Sequence, residues 1–210
     1  MRESEPLLIG LTGGPGAGKS TVAQILASKG AAVISGDELG RRALRRFPEL
    51  KEALRRRYGD SLFTARGVLK RRALGQIVFR DKREVAWLNH RMFPKIYELL
   101  REDIKRLGRT HSIIVVDAAM IFEWGIEKDF DLVWVVIAPQ ELAERRMVRT
   151  DRLSSEEIRQ RLRFQIPPHE KARRAQSVIR NSGSRRELRR IVERAWTANV
   201  LPRLAQKTRG

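Results

Sequence analysis

The chain has no cysteine among its 210 residues. Disulfides, thiolate metal sites and cysteine nucleophiles are therefore excluded, as suits a reducing compartment. Histidine is scarce as well: His90, His111 and His169 show neither metal-ligand spacing nor a nucleophile to activate. No apolar run approaches the ~18 residues of a membrane span, and the longest candidates, such as Leu132 to Ala138, read as buried strands. The apolar N-terminal run leads straight into a glycine-rich loop that signal-peptide cleavage would destroy, so a cytoplasmic protein without membrane contact is expected. Acidic residues are the remaining deficit, 25 against 44 Lys and Arg, for a net charge of +19. Such an excess favours anionic partners without saying which. It is uneven, since residues 41–72 hold 12 basic and 3 acidic side chains; a solvated Arg-rich surface and a specific electrostatic role both remain open there.

What is abundant is the pattern from Leu8 to Thr21, LIGLTGGPGAGKST, which fits G-x-x-x-x-G-K-[ST] after a β-type apolar run and before a helical one. In such a loop Gly13, Gly14, Gly16 and Gly18 let the backbone wrap phosphate oxygens, with Ala17 between them. The following helix turns its positive end to the same anion. Lys19 supplies a full charge for the β- and γ-phosphates, and Ser20, followed by Thr21, is placed to put its hydroxyl on Mg²⁺. ATP with Mg²⁺ is the implied ligand.

An apolar content of 41% supports one packed domain over 1–210. Strands are expected at Leu7–Thr12, Ala32–Ser35, Ser112–Val116, Leu132–Ala138 and Ser177–Ile179, separated by helical stretches. That alternation reads as an α/β fold with a five-stranded parallel sheet in three layers. The core comprises about 1–36, 110–140 and 175–210. Between them lie a helical substrate-side excursion, about 37–109, and a basic helical lid, about 141–174. Breaks in the excursion are expected near Phe47-Pro48, Tyr58-Gly59-Asp60 and Phe93-Pro94.

Asp37 follows the second strand, at the end of a parallel sheet that faces the ligand crevice. It is placed to take a proton from an attacking hydroxyl, to order a Mg²⁺-bound water, or to cap the helix expected from Glu38. Asp117 closes the run Ile113 to Val116, either as a Mg²⁺ contact or as a structural carboxylate bonded to the phosphate loop; Glu123 is a further polar candidate. Arg145, Arg146, Arg149 and Arg152 recur at helical spacing after the fourth strand, where guanidinium groups could clamp a transferring phosphoryl.

With these residues in place the chain resembles the dephospho-coenzyme A kinase family along nearly its whole length. The likeness runs from Leu11 to Thr21 through Asp37, Phe122-Glu123, Leu153 to Glu157, Gln165 and Pro168 to Lys171, ending in Val178-Ile179 and Asn181-Ser182-Gly183-Ser184. It implies a phosphate-loop kinase that transfers the ATP γ-phosphoryl group to the ribose 3′-hydroxyl of dephospho-coenzyme A. By that resemblance Asp37 is the base and contacts substrate, Lys19 and the loop amides hold ATP, and Ser20 holds Mg²⁺, with Asp117 beside it as the candidate second metal ligand from its strand-end position. Arg145 or Arg146 with Arg149 closes on the phosphates, Arg161 with Gln165 helps hold substrate or nucleotide, and the turn from Asn181 to Gly183 lies against adenine; Glu123 is a candidate substrate contact. Four positions depart from the family pattern: Ser35 replaces an acidic residue, Phe93 a His, Ala119 a Pro and Arg180 an Asp.

Two alternatives compete: phosphoryl transfer to another nucleotide or nucleoside, and a nucleotide-dependent nucleic-acid-binding protein. The second lacks aromatic interleaving, since only Phe47, Tyr58 and Phe63 accompany the basic run, and no RNA or DNA motif is present. The expected partners are thus ATP and dephospho-coenzyme A, without membrane, in a monomer or weak homo-oligomer, nucleic acid being the disfavoured alternative that the basic charge leaves open.

Overall fold

A computed structural model describes residues 5–151 and 154–209, without the side chains of Arg149, Thr150, Asp151, Ser155, Arg161, Thr208 and Arg209. Five strands, β1 (Leu7–Gly13), β2 (Ala32–Ser35), β3 (Ile113–Asp117), β4 (Leu132–Ile137) and β5 (Ser177–Arg180), form one sheet in the order β2-β3-β1-β4-β5. Every pairing is parallel. Helices α1 (Lys19–Ala27), α2 (Gly36–Arg46), α3 (Pro48–Tyr58), α4 (Arg71–Val78) and α5 (Lys82–Leu107) precede or lead into β3. Helices α6 (Gln140–Asp151), α7 (Ser155–Leu162) and α8 (Pro168–Arg174) lie between β4 and β5; α9 (Arg185–Ala195) and α10 (Leu201–Arg209) follow. Strand positions anticipated from apolar runs match to within a residue at either end, and β2 matches at both.

The strands are apolar on consecutive positions because helices cover both faces of the sheet. In β3, Ile113 and Val115 turn to a core shared with Val22, Leu26, Leu188 and Val192 of α1 and α9. Ile114 and Val116 turn to the other side, against Leu39 and Ala43 of α2 and Leu99 and Leu100 of α5. Trp134 in β4 is fully buried in the first core, while its neighbours Val133 and Val135 pack with Phe122 below. Each face thus gets every second side chain of a strand, and layering follows from the two-residue period.

One expected break does not occur. Helix α5 runs unbroken through Phe93-Pro94 for 26 residues. Proline in a helix interior forfeits one backbone hydrogen bond and costs ~3 kcal/mol. The packing around it outweighs that cost: Phe93 stacks on Trp124 and Tyr97 at 5.0 and 5.6 Å between ring centroids, and Ile96, Leu99 and Leu100 are buried on the next turns. The other two breaks stand. Pro48 opens α3, and Gly59 ends it with φ of 83°.

Candidate active site

The carboxyl ends of β1, β2 and β3 meet above the sheet. Register pairs Leu11 with Asp117 and Ser35 with Asp117, so the loop after β1, the start of α2 and the end of β3 are neighbours. The loop after β1 is shaped by what cannot fit there. Gly16 and Gly18 have φ of 69° and 94°. A methyl group on Gly16 would land on the Ala143 carbonyl of α6, and one on Gly18 would land on the Asn181 side chain. Only glycine serves at these two positions. Gly18 caps α1 without any side-chain hydrogen bond, and no acidic residue occupies its first turn. The amides of Gly16, Gly18, Lys19 and Ser20 have no backbone acceptor among the described residues. A cluster of N–H groups without backbone acceptors at a helix start, with Lys19 beside it, is an arrangement able to cradle a phosphate.

The cradle is braced from the far end of the sequence. Asn181, buried just after β5, donates from Nδ2 to the Ala17 carbonyl at 2.8 Å. Arg146 of α6 reaches the Gly16 carbonyl and Asn181 Oδ1, both at 3.4 Å. Of the two candidates Arg145 and Arg146, it is therefore Arg146 that lies against the loop. Arg149 sits in α6 and Arg161 in α7, but both side chains lie outside the described residues, as does the whole of Arg152. Gly183 has a local reason for its identity. It precedes the capping box that Ser184 and Glu187 form at the start of α9, and a side chain there would occupy the Glu187 carboxylate position.

For Asp37 the structure removes one alternative. Helix α2 starts at Gly36, not Glu38, and its N-cap is Ser35, whose hydroxyl accepts from the Glu38 amide at 3.4 Å. The cap has moved to the very position where the family pattern has an acidic residue, and Asp37 stands exposed in the first turn without that duty. Asp117 is also not bonded to the phosphate loop among the described residues. Its carboxyl is pushed above the ordinary range, chiefly by burial; Asp37 adds to this and Lys19 opposes it. Two carboxylates and one ammonium thus share a field at the strand ends. Among the described residues no group of three or more His, Asp or Glu is arranged to hold a metal. The Ser20 hydroxyl and Asp117 carboxylate are hard oxygen donors that fit Mg²⁺, which takes one or two protein ligands beside substrate phosphates.

Glu123 sits behind the crevice in a buried pair that sequence reasoning did not anticipate. The Lys171 ammonium of α8, 1% exposed, lies 2.7 Å from Glu123 Oε1 and donates to the Ala119 carbonyl at 2.8 Å. Thr12 of β1 donates to that same carbonyl at 3.0 Å, and Glu123 Oε1 also accepts from the Ile166 amide at 2.9 Å. Burial holds the Lys171 ammonium below its usual range despite Glu123, and Lys19 pushes the same way. Glu123 Oε2 and Gln165 Oε1 are buried without a partner among the described residues. The pairing was hidden because Glu123 and Lys171 stand 48 residues apart; only the apolar ring around Phe122 hinted at burial there.

A family model described as dephospho-CoA kinase matches residues 7–187. The dephospho-CoA kinase of Geobacter sulfurreducens is 37% identical over 192 residues, covering 90% of this chain and 96% of the relative. Among solved structures, TT1252 from Thermus thermophilus superposes with a TM-score of 0.76 at 35% identity, covering 93% of this chain and 97% of that one. A dephospho-CoA kinase from Campylobacter jejuni follows at TM-score 0.61 and 26% identity, over 92% and 97%.

Proposed function

From the premise that this chain belongs to the dephospho-CoA kinase family, we infer that it transfers the γ-phosphoryl group of ATP to the ribose 3′-hydroxyl of dephospho-coenzyme A, giving coenzyme A and ADP. The observation that carries this reading is that the match spans both the nucleotide cradle and the acceptor-side helices, from residue 7 to 187. Asp37 accepts the proton of the attacking hydroxyl as its oxygen bonds to the γ-phosphorus, and the bond to the bridging oxygen of ADP breaks. An exposed carboxylate relieved of capping by Ser35 supports that role. Lys19 and the loop amides neutralise charge on the β- and γ-phosphates, and Arg146 adds a guanidinium from the opposite wall. Ser20 and Asp117 would hold Mg²⁺, which supplies charge neutralisation to the nucleotide when bound.

On the acceptor side Gln165 and Arg161 lie in one segment that meets the substrate, and Glu123 stands behind it, tying that segment to the core through the Ile166 amide. The 141–174 stretch acts as the lid and 37–109 as the acceptor-binding excursion of a single kinase domain. The densest basic stretch has a mostly internal use. Eight of the twelve basic residues between 41 and 72 stand in ion pairs, which argues against a phosphate-tracking surface. No described helix is long and apolar enough to cross a membrane.

The test is a coupled assay of ATP consumption with dephospho-coenzyme A, adenosine and nucleoside monophosphates offered separately. Turnover is expected with the first only. Turnover with a monophosphate instead, or ATP hydrolysis stimulated by RNA or DNA and by none of the small acceptors, would overturn the reading.

A further inference from the structure

The acceptor-side helices and the segment after β4 meet through one compact set of side chains. Arg72 of α4 donates from Nε to Glu157 Oε1 at 3.1 Å and from Nη2 to Oε2 at 3.0 Å, a two-pronged contact with α7. Gln76, one turn on, donates to Glu157 Oε1 at 3.0 Å. The next turn brings Phe79 to Phe164 with ring centroids 6.1 Å apart. Positions 72, 76 and 79 are spaced to share one helix face, and the residues they meet lie 85, 81 and 85 positions away in the sequence. Glu157 is also aimed from its own side: its Oε2 accepts from the Ser154 amide at 2.8 Å while its amide donates to the Ser154 hydroxyl at 3.2 Å. That carboxyl is held down at about 2 by the Ser154 amide first and then by Arg72 and Gln76, so the pairing stays charged throughout the neutral range.

Both ends of this contact are continuous in the chain with residues that reach the walls described above. Arg72 follows Arg71, whose guanidinium lies 3.8 Å from where a side chain on Gly40 would start, on the α2 face one turn beyond Asp37. Phe164 precedes Gln165, whose buried Oε1 has no partner among the described residues, and Ile166, which Glu123 ties to the core. We propose that Arg72, Gln76 and Phe79 with Glu157 and Phe164 form a clasp across the rim of the acceptor crevice, and that its closing positions the Gln165 wall over an acceptor held against the Asp37 wall. These are positioning residues; none touches the reacting atoms. An exposed Arg–carboxylate pair is worth only a factor of roughly 2 to 5 in an equilibrium. That strength suits a clasp that must reopen for product to leave.

The inference rests on the kinase reading for its effect on turnover but not for its geometry, and the test separates the two. Glu157 also caps α7, so the informative variants are on the exposed Arg72: Arg72→Ala removes the pair, and Arg72→Glu sets two carboxylates face to face. Because the chain has no cysteine, spin labels on cysteines introduced at the exposed Arg80 and Arg163 report the distance between the two walls without any turnover. In the parent chain a narrow distance distribution is expected; in Arg72→Glu it broadens toward longer distances. In the assay Arg72→Ala should raise the KM for the acceptor roughly 2- to 5-fold, leave kcat within about 2-fold, and increase ATP hydrolysed per acceptor phosphorylated, since an open rim admits water. Arg72→Glu should exceed it in all three. Unchanged distances overturn the clasp; distances that widen while acceptor KM and coupling stay constant reduce it to a structural contact and overturn the positioning role. A parent chain inactive on dephospho-coenzyme A would sink the kinase reading, while the label distances would still decide whether the clasp exists.

Discussion

Around the phosphate loop the structure is written in backbone: the Gly16 and Ala17 carbonyls receive Arg146 and Asn181, Gly16 and Gly18 tolerate no side chain, and the start of α1 carries no cap but its own amides. Across the crevice it is written in side-chain charge. Glu38 pairs with Arg41 and Arg45, Glu102 with Arg46, Glu84 with Arg57 and Glu157 with Arg72, most of them at least partly open to water. Backbone geometry is inflexible and transmits little when a distant side chain changes. Exposed ion pairs are individually weak and salt-sensitive, so no one of them fixes that side, whose helices are held chiefly by the buried cluster of Leu39, Leu54, Val78 and Leu99. One side is a backbone-built socket and the other is faced with side-chain charge, and the Glu123–Lys171 pair is the joint at which α8 approaches Gly14 of the socket.

That joint is where the largest effect is expected. Lys171→Met strands the Glu123 carboxylate in the interior, and breaking a buried pair costs on the order of 3–5 kcal/mol. Thermal unfolding should show a fall in Tm of about 10 °C, using the sensitivity of a chain this size. Adding Glu123→Gln should recover much of it. If the double variant melts no higher than the single one, the pair is not the joint described.

The socket is probed by Lys19→Ala, which should lower turnover by at least ~10²-fold with little change in Tm, because a cation is lost where charge redistributes but no packing is lost. A variant of near-parental activity would break the assignment of the cradle. Asp37→Asn comes next, at about 10²-fold in kcat, the range for a positioned general base. Ser35 holds the cap, so unfolding should be unaltered and ATP affinity should stay within a few-fold; a large fall in Tm with normal turnover would restore the capping role to Asp37.

The smallest effect is on stability and reverses the usual sign. The Asp117 carboxyl is raised in the folded chain, so the native state holds its proton more tightly than the unfolded one, and stability falls as pH rises from the ordinary carboxylate range through the raised value. Asp117→Asn should therefore melt at the same temperature as the parent or slightly higher near neutral pH, with the difference vanishing at pH ~3, below the ordinary carboxylate pKa. Phosphoryl transfer should meanwhile fall by about 10-fold or more if Asp117 helps hold the metal. A drop in Tm at neutral pH would mean the carboxylate stabilises the fold and would undo the contrast between socket and joint.

Residues 8–21 were enough to read the phosphate loop, because glycine spacing, Lys and Ser act through local backbone and need no partner to be recognised. The five parallel strands were legible for a related reason: a strand covered on both faces must be apolar at consecutive positions, and that survives in the sequence whatever covers it. The same local reading failed at Phe93-Pro94, where a helix breaker is overruled by stacking on Trp124 that no local pattern reports. It left Asp37 undecided between base and cap until the register of β2 and α2 gave the cap to Ser35. Arg146 against Arg145, Lys171 against Glu123 and Arg72 against Glu157 are choices among a surplus of like side chains. By itself the sequence determined the nucleotide loop, the sheet and the family, since these rest on short-range geometry and apolar period; which charges meet across the crevice was decided only by the tertiary structure, because Coulomb attraction selects partners by distance in space and the chain order holds no record of that distance.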